Sequence, residues 1–259
     1  MLRDAPARTA LSTRASRPRR TLKNHAFDDA DRAAVYAALA ERRDIRHFRP
    51  DPVPDEVLAR ILHAGAHAPS VGFSQPWNFI VVRDLELRRT LREHVEQERM
   101  ADAARFEGER REAYLSLKLE GVVDAPLNLC VTCDRTRFGP KILGRNTVIE
   151  ADLYSTVAAV QNLWLAARAE GVGVGWVSIL RNEFLSELLG LPEQVVPVAY
   201  LCVGYTDEFP EQPTLQTRGW LPKVPLADLV FEDRWERPAG DELVRHVRES
   251  GVPGRRARD

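Results

Sequence analysis

The chain changes its hydrophobic period several times, and each change marks an element. Over residues 28–43 the small apolar residues Ala33, Val35, Ala37, Ala38 and Leu39 give one helical face, with Asp28 or Asp29 placed to cap it. Arg49-Pro50-Asp51-Pro52-Val53-Pro54 breaks that pattern, and Pro54 stands where a first helical turn tolerates it. Val57, Leu58, Ile61, Leu62 and Gly65 then share a face of a second helix, which Pro69 stops. The most regular signal lies over 150–170, where Leu153, Val157, Val160, Trp164 and Ala167 recur at helical spacing and Gly171 supplies a left-handed cap. Apolar runs rich in β-branched residues predict strands at 77–82, 127–133, 174–179 and 195–203, with a short helix over 183–189. Residues 85–121 are charged and mostly helical, but Phe106-Glu107-Gly108-Glu109-Arg110 interrupts them, which predicts broken helices or a mobile segment. Helices and strands interleave without a repeat, the pattern of an α+β sheet covered by helices.

Composition narrows the class. The 259 residues are 44% hydrophobic and 29% charged, ordinary for one large globular domain or two small ones, so neither disulfides nor a structural metal need be invoked. With 37 basic and 38 acidic residues the net charge is −1, and no global field favours nucleic acid or an anionic membrane. Three cysteines, an odd number, fit a reducing compartment better than a disulfide scaffold. No apolar run approaches the roughly 18–20 residues of a membrane helix. The expectation is a cytoplasmic protein without nucleic-acid or membrane partners. Residues 1–27 read as a basic N-terminal arm, with Arg3, Arg8, Arg14, Arg17, Arg19, Arg20 and Lys23 against Asp4. A disordered arm, a start codon placed too early and a transit peptide all share that composition. Residues 237–259 are similarly polar and are expected to be loose, leaving 28–236 as the folded unit.

Several motifs weaken on inspection. Cys130-Val131-Thr132-Cys133 has the C-x-x-C form, yet residues three apart on a strand point to opposite faces, which argues against a shared metal or disulfide. Gly171-Val172-Gly173-Val174-Gly175-Trp176 lacks the sixth glycine of a dinucleotide fingerprint and lies after a helix and before a strand, the reverse of that fingerprint's setting. It reads as a tight helix-to-strand turn. Ser178 lacks the flanking glycines of a nucleophile elbow, which leaves it as a hydrogen-bonding serine where a strand emerges. His47, His63, His67 and His94 have no ligand spacing with a confirming carboxylate, so no metal is assigned.

Two segments carry more. Arg42-Arg43-Asp44-Ile45-Arg46 is either a solvated surface or a site for a phosphate and a polar ring. Arginine grips phosphate through two donors, and a carboxylate among guanidiniums stays ionised. Residues 68–79, Ala68-Pro69-Ser70-Val71-Gly72-Phe73-Ser74-Gln75-Pro76-Trp77-Asn78-Phe79, combine small, aromatic and amide side chains, as suits backbone that approaches a flat group closely.

Together these segments resemble the nitroreductase family of FMN proteins, with its Arg-Arg-x-x-Arg run, its Pro-Ser…Gln-Pro-Trp loop before the first strand and its Gly-x-Gly-x-Gly-Trp turn. The resemblance spans about residues 30–235. Within the family, Asp44 stands where many nitroreductases carry serine. Gly108-Glu109-Arg110, Ser116-Leu117-Lys118-Leu119-Glu120-Gly121, the run 126–137, Leu143-Gly144-Arg145, Asp152-Leu153-Tyr154-Ser155-Thr156-Val157 and the run from Val160 through Ser178 are similar to the BluB-type 5,6-dimethylbenzimidazole synthases. The resemblance implies a nitroreductase-like α+β fold, a central and mostly antiparallel sheet covered by helices, in a domain-swapped homodimer with FMN at the interface. It also implies that FMNH2 is itself the substrate, fragmented with O2 to give 5,6-dimethylbenzimidazole, the lower ligand of cobalamin.

Carried over position by position, the resemblance assigns Arg42, Arg43, Asp44, Ile45 and Arg46 to the phosphate, the ribityl chain and the flavin edge. Ser70 and Gly72 would meet the flavin from their loop, and Arg110 and Leu119 would belong to a lid at about 100–121. Asp44 and Ser178 would be the catalytic pair, Asp44 positioning or deprotonating groups near the ribityl carbon and Ser178 steering by hydrogen bonding. A closed lid would leave no room for a nicotinamide, so NAD(P)H would act indirectly, through a partner flavin reductase. The chain departs from the family at Ala151, where Met is usual, and at Lys223, where Arg is usual and a lysine offers a point charge without the fork. The competing readings are an NAD(P)H-dependent nitroreductase or flavin reductase, opposed by Asp44 and the 108–121 segment, and a non-catalytic FMN carrier.

Overall fold

The computed structural model describes residues 25–251, so most of the basic arm (1–24) and the last residues of the tail (252–259) lie outside the described residues. The chain runs α1 (Asp29–Glu41), α2 (Asp55–Ala66), β1 (Trp77–Val82), α3 (Leu85–Ala103), α4 (Gly108–Ser116), β2 (Leu127–Asp134), α5 (Ala151–Ala169), β3 (Val172–Val177), α6 (Asn182–Leu188), β4 (Val195–Tyr205), α7 (Thr214–Thr217) and α8 (Asp241–Glu249). The four strands form one sheet in the order β1-β2-β4-β3, and every ladder is antiparallel. Pro197, which has no N–H for a ladder, sits in β4 where its register with β2 slips between Val131 and Thr132, so a bulge absorbs the missing donor.

Both faces of the sheet are covered, which is why β2 and β4 read as continuous apolar runs instead of alternating ones. On one face Leu129, Val131, Val174, Leu201 and Val203 pack against Ile61 of α2 and Ala159, Val160, Leu163 and Ala167 of α5. On the other, Cys130, Val177, Tyr200 and Cys202 meet Leu91 and Val95 of α3 and Leu185 of α6. Truncating a fully buried leucine such as Leu163 to alanine would cost about 2–5 kcal/mol, so this layering holds the fold. The alternation also separates the C-x-x-C thiols: Cys130 lies in the α3–α6 core, while Cys133 faces Thr156 of α5.

The helix expected over 28–43 is α1, capped by Asp28, whose side chain accepts the Asp31 N–H at 2.9 Å. Its apolar face is not covered by the chain itself, since Val35 and Leu39 stay exposed. The interrupted segment 85–121 is a broken helix, α3 and α4 joined across 104–107. Two expectations shift. The strand expected at 174–179 begins and ends two residues earlier, because Val172 and Gly173 pair with Tyr205 and Gly204. The tail expected to be loose contains α8, an amphipathic helix of about two and a half turns braced by Arg245–Glu249 at 3.5 Å and packed on the 3-10 turn Leu226–Leu229. Its few apolar residues made that helix hard to read from sequence. No helix among the described residues is long and apolar enough to cross a membrane.

Candidate functional site

The site grows from the end of α1. Arg42 leaves helical geometry with φ −59° and ψ 135°, and the chain then runs extended along the free edge of β3. Asp44 forms a parallel bridge with Val174, and the Ile45 N–H donates to the Val174 carbonyl at 3.0 Å. This approach needs glycine on the strand. A Cβ on Gly175 would stand 2.0 Å from the Ile45 oxygen and 2.6 Å from Arg46 Nη1, and one on Gly173 would stand 3.1 Å from the Ile45 side chain. The glycine run therefore divides: Gly171, at φ +73°, makes the expected helix-to-strand turn, while Gly173 and Gly175 lie in the strand and admit the neighbouring backbone.

The charges on this edge are interlocked. Asp44 Oδ1 accepts the Trp176 N–H at 2.9 Å, and Arg46 Nη2 donates to Asp44 Oδ2 at 2.5 Å and to the Trp176 carbonyl at 2.6 Å. Arg46 Nη1 is buried without a hydrogen-bond partner. Arg42 lays its guanidinium 4.8 Å from the centre of the Trp164 ring. Arg43 turns away, donating to the carbonyls of Ala40 (2.8 Å), Arg42 (2.7 Å) and Glu211, and so ties the C-terminal segment to α1. Ile45 is buried beneath them. Crowding by protein raises the Asp44 pKa, opposed in part by Arg46, the Trp176 N–H and Arg42. The carboxylate nonetheless keeps 45% of its side-chain surface open, at the mouth of the site. A carboxylate whose pKa burial raises, at the mouth of a site and beside two cations, is a candidate for proton exchange.

Ser178 lies just past β3, exposed, and lines a cavity of about 100 Å³ with Trp176, Val177, Asn182 and Tyr200. It therefore shares the end of the strand whose Trp176 backbone holds Asp44. Ser70 and Gly72 sit elsewhere. Ser70 Oγ accepts the Gln75 N–H at 3.0 Å, Val71 N–H donates to Ser155 Oγ at 3.0 Å, and the loop runs straight into β1. Gly72 has φ +53°, and a Cβ there would stand 2.6 Å from Ile142 Cγ2, so only glycine fits. Beside this loop opens a shallow cavity of about 270 Å³ lined by Pro69, Ser70, Val71, Ala151, Tyr154 and Ser155. Since β1 and β3 are opposite edges of the sheet, three strand spacings of ~4.8 Å lie between the strands that carry the two halves.

Arg110 and Leu119 lie on and just after α4. Arg110 stacks 3.8 Å over the Trp220 ring and donates to the Trp220 carbonyl at 3.2 Å, while Leu119 is half-buried in the link that follows. Lys223 is exposed. Sequence reasoning passed over Trp164 and Trp176, which carry the edge segment. Trp164 Nε1–H donates to the Arg43 carbonyl at 3.3 Å, but its place on the apolar stripe of α5 made it look like core alone.

The donors left over, the free Arg46 Nη1 and the ring-borne Arg42, beside a carboxylate, fit an anionic group attached to a polar ring. The antiparallel sheet between helices is an architecture shared with solved structures. An iodotyrosine deiodinase solved with FMN and 3-iodo-L-tyrosine superposes with a TM-score of 0.59 at 24% identity, covering 69% of this chain and 94% of that one. Nitroreductase A of Vibrio parahaemolyticus gives a TM-score of 0.59 at 23% identity, over 82% of this chain and 81% of that one. The sequence profile of the Nitroreductase family matches residues 39–205, and the chain belongs to that family. Among curated proteins it is similar to a 5,6-dimethylbenzimidazole synthase of Rhodospirillum rubrum, 43% identical over 77% of this chain and 94% of the relative. A second 5,6-dimethylbenzimidazole synthase, from Rhodobacter capsulatus, is 37% identical over 82% of this chain and 99% of its own length.

Proposed function

We propose that this protein is an aerobic 5,6-dimethylbenzimidazole synthase, an oxidoreductase that takes FMNH2 and O2 and fragments the flavin to the lower ligand of cobalamin. The observation that carries the reading is the seat of Asp44: a carboxylate with a raised pKa, held by the Trp176 N–H and Arg46. It stands in a chain whose curated synthase relatives reach 43% identity over 77% of its length. FMN supplies the redox-active ring and, in its reduced form, the substrate itself. Arg42 and Arg46 hold its phosphate and ribityl chain through charge-assisted donors. Asp44 would serve as the proton acceptor beside a bound ribityl chain, and Ser178 would offer a hydrogen-bond donor from the end of β3. Arg110 and Leu119 on the α4 segment close over the site and exclude water, which protects reactive species from side reactions.

Because Ser70 and Gly72 lie on the opposite sheet edge from Asp44, a second copy completes each site, in a domain-swapped homodimer. Val35 and Leu39 on α1, with Tyr154 and Val157 on α5, are apolar surfaces the chain leaves open for that partner. The reductant enters indirectly: NAD(P)H reduces FMN on a partner flavin reductase, and the reduced flavin is passed on. Three buried, free cysteines suit a cytoplasmic setting.

The test is aerobic incubation of the protein with FMN and a source of FMNH2, with 5,6-dimethylbenzimidazole followed by mass. Asp44→Ala and Ser178→Ala are each expected to lower product formation by about 100-fold or more while flavin binding persists. Flavin recovered intact while NAD(P)H is consumed would make this an ordinary flavin-dependent reductase. An Asp44→Asn variant that binds FMN and gives full product would end the proton-acceptor role.

A further inference from the structure

Arg42 has an unusual setting for a cation at the mouth of a site. Among the described residues its side chain makes no hydrogen bond and no close ion pair, acting on Asp44 only through its charge, and its guanidinium rests 4.8 Å from the centre of the Trp164 ring. Trp164 is 9% exposed and belongs to the α2–α5 core, yet both of its polar features point the same way. Its ring face carries Arg42, and its Nε1–H binds the Arg43 carbonyl at 3.3 Å. Trp176 packs against it at 6.3 Å between ring centres, and the backbone of Trp176 holds Asp44 and Arg46. A guanidinium stacked on an indole keeps its edge donors free while its plane and position are set.

We infer that Trp164 is a positioning residue for phosphate recognition: from α5 it aims the Arg42 guanidinium and anchors the Arg42–Arg46 backbone, so that the anion meets donors already in place. The inference rests on the reading of this site as an FMN site, and it adds a residue of the helical core to the binding machinery. Pre-setting a flexible arginine removes the ordering that phosphate binding would otherwise have to impose. The effect is therefore specific to ligands that carry the phosphate, which a merely structural role for Trp164 would not produce.

Titrations of the full chain with FMN and with riboflavin, followed by flavin fluorescence, read the phosphate-dependent share of affinity as the ratio of the two dissociation constants. Arg42→Ala is expected to collapse most of the preference for FMN. Trp164→Leu, which keeps apolar volume but removes ring face and N–H, is expected to lower that preference about tenfold with riboflavin binding nearly unchanged. Added to Arg42→Ala, it should lower the ratio no further. A folded Trp164→Leu variant that weakens both flavins equally, or keeps the parental ratio, overturns the inference. If that variant does not fold, Trp164→Phe carries the test, with a smaller ring, no N–H and an expected loss of about threefold; an unchanged ratio overturns it. A parent protein that binds FMN no better than riboflavin also overturns it, whereas a missing fragmentation product counts against the synthase reading alone.

Discussion

Along β3 the Asp44–Arg46 segment is joined to the sheet through its backbone, with an N–H to Val174 at 3.0 Å, a carboxylate on the Trp176 N–H at 2.9 Å and no room for a methyl group at Gly175. The α4 segment is held otherwise. Arg99 caps its end through the carbonyls of Leu115 (2.5 Å) and Leu117 (3.2 Å), and Arg110 leans on Trp220, so side chains alone fasten it at both ends. The residues between these ties are mostly exposed. Backbone pairing against a close-packed strand gives one arrangement, which suits groups that must meet a ligand preformed. Side-chain ties across an exposed surface open at little cost, which suits a lid.

The contrast is breakable by mutation. Gly175→Ala drives a methyl group into the Ile45 carbonyl and should lower stability by about 3 kcal/mol and abolish FMN binding. Denaturant unfolding and flavin titration check both, and parental values would mean that the edge segment yields more readily than its packing implies. Gly72→Ala meets Ile142 and a positive φ together, so a loss of about 2 kcal/mol with weaker FMN binding is expected by the same measurements. Arg110→Ala should change stability by less than about 1 kcal/mol. Hydrogen exchange over 104–121 should nonetheless quicken and product per FMNH2 consumed should fall; unaltered exchange would show that Arg110 does not hold this segment.

The smallest effect sharpens the electrostatics. Burial raises the Asp44 pKa, so folding favours its protonated form, and the ionised carboxylate subtracts from stability at pH values above the ordinary aspartate range. That penalty disappears as pH falls below the ordinary range, where Asp44 is protonated folded and unfolded alike. Asp44→Asn is therefore expected to melt slightly above the parent at neutral pH, with the difference fading on acidification. An Asp44→Asn variant that melts below the parent at neutral pH, with the deficit fading in acid, would mean that Arg46 and the Trp176 N–H outweigh desolvation.

Much of the fold could be read before any coordinates. The cap at Asp28, the left-handed Gly171 and the helical stripe on α5 depend on neighbours a few residues away, and those contacts are written into local spacing. Composition and periodicity leave the Arg42–Arg46 segment open between a site and a solvated surface, and only the resemblance to the nitroreductase family singles out that segment and the Pro69–Pro76 loop. The glycine run was half understood. Its turn was visible in the sequence, but the reason for Gly173 and Gly175 lies in a strand edge that meets residues far upstream. The helix α8 was missed because so few of its residues are apolar.

Element type thus follows from short-range chemistry, where a side chain and its partner are separated by one or two turns, whereas the antiparallel pairing joins strands as far apart as β2 and β4. The seat of Asp44 is long-range as well. Its N–H donor, Trp176, is 132 positions away, and the indole that binds the Arg43 carbonyl is 121 positions away. Which ring Arg42 rests on, and that the Asp44 segment and the Ser70–Gly72 loop lie toward opposite edges of the sheet, depended on how α1, α5 and the sheet edges pack. Such choices are made by the long-range closing of the core, because only there do surfaces distant in the chain compete for the same few ångströms.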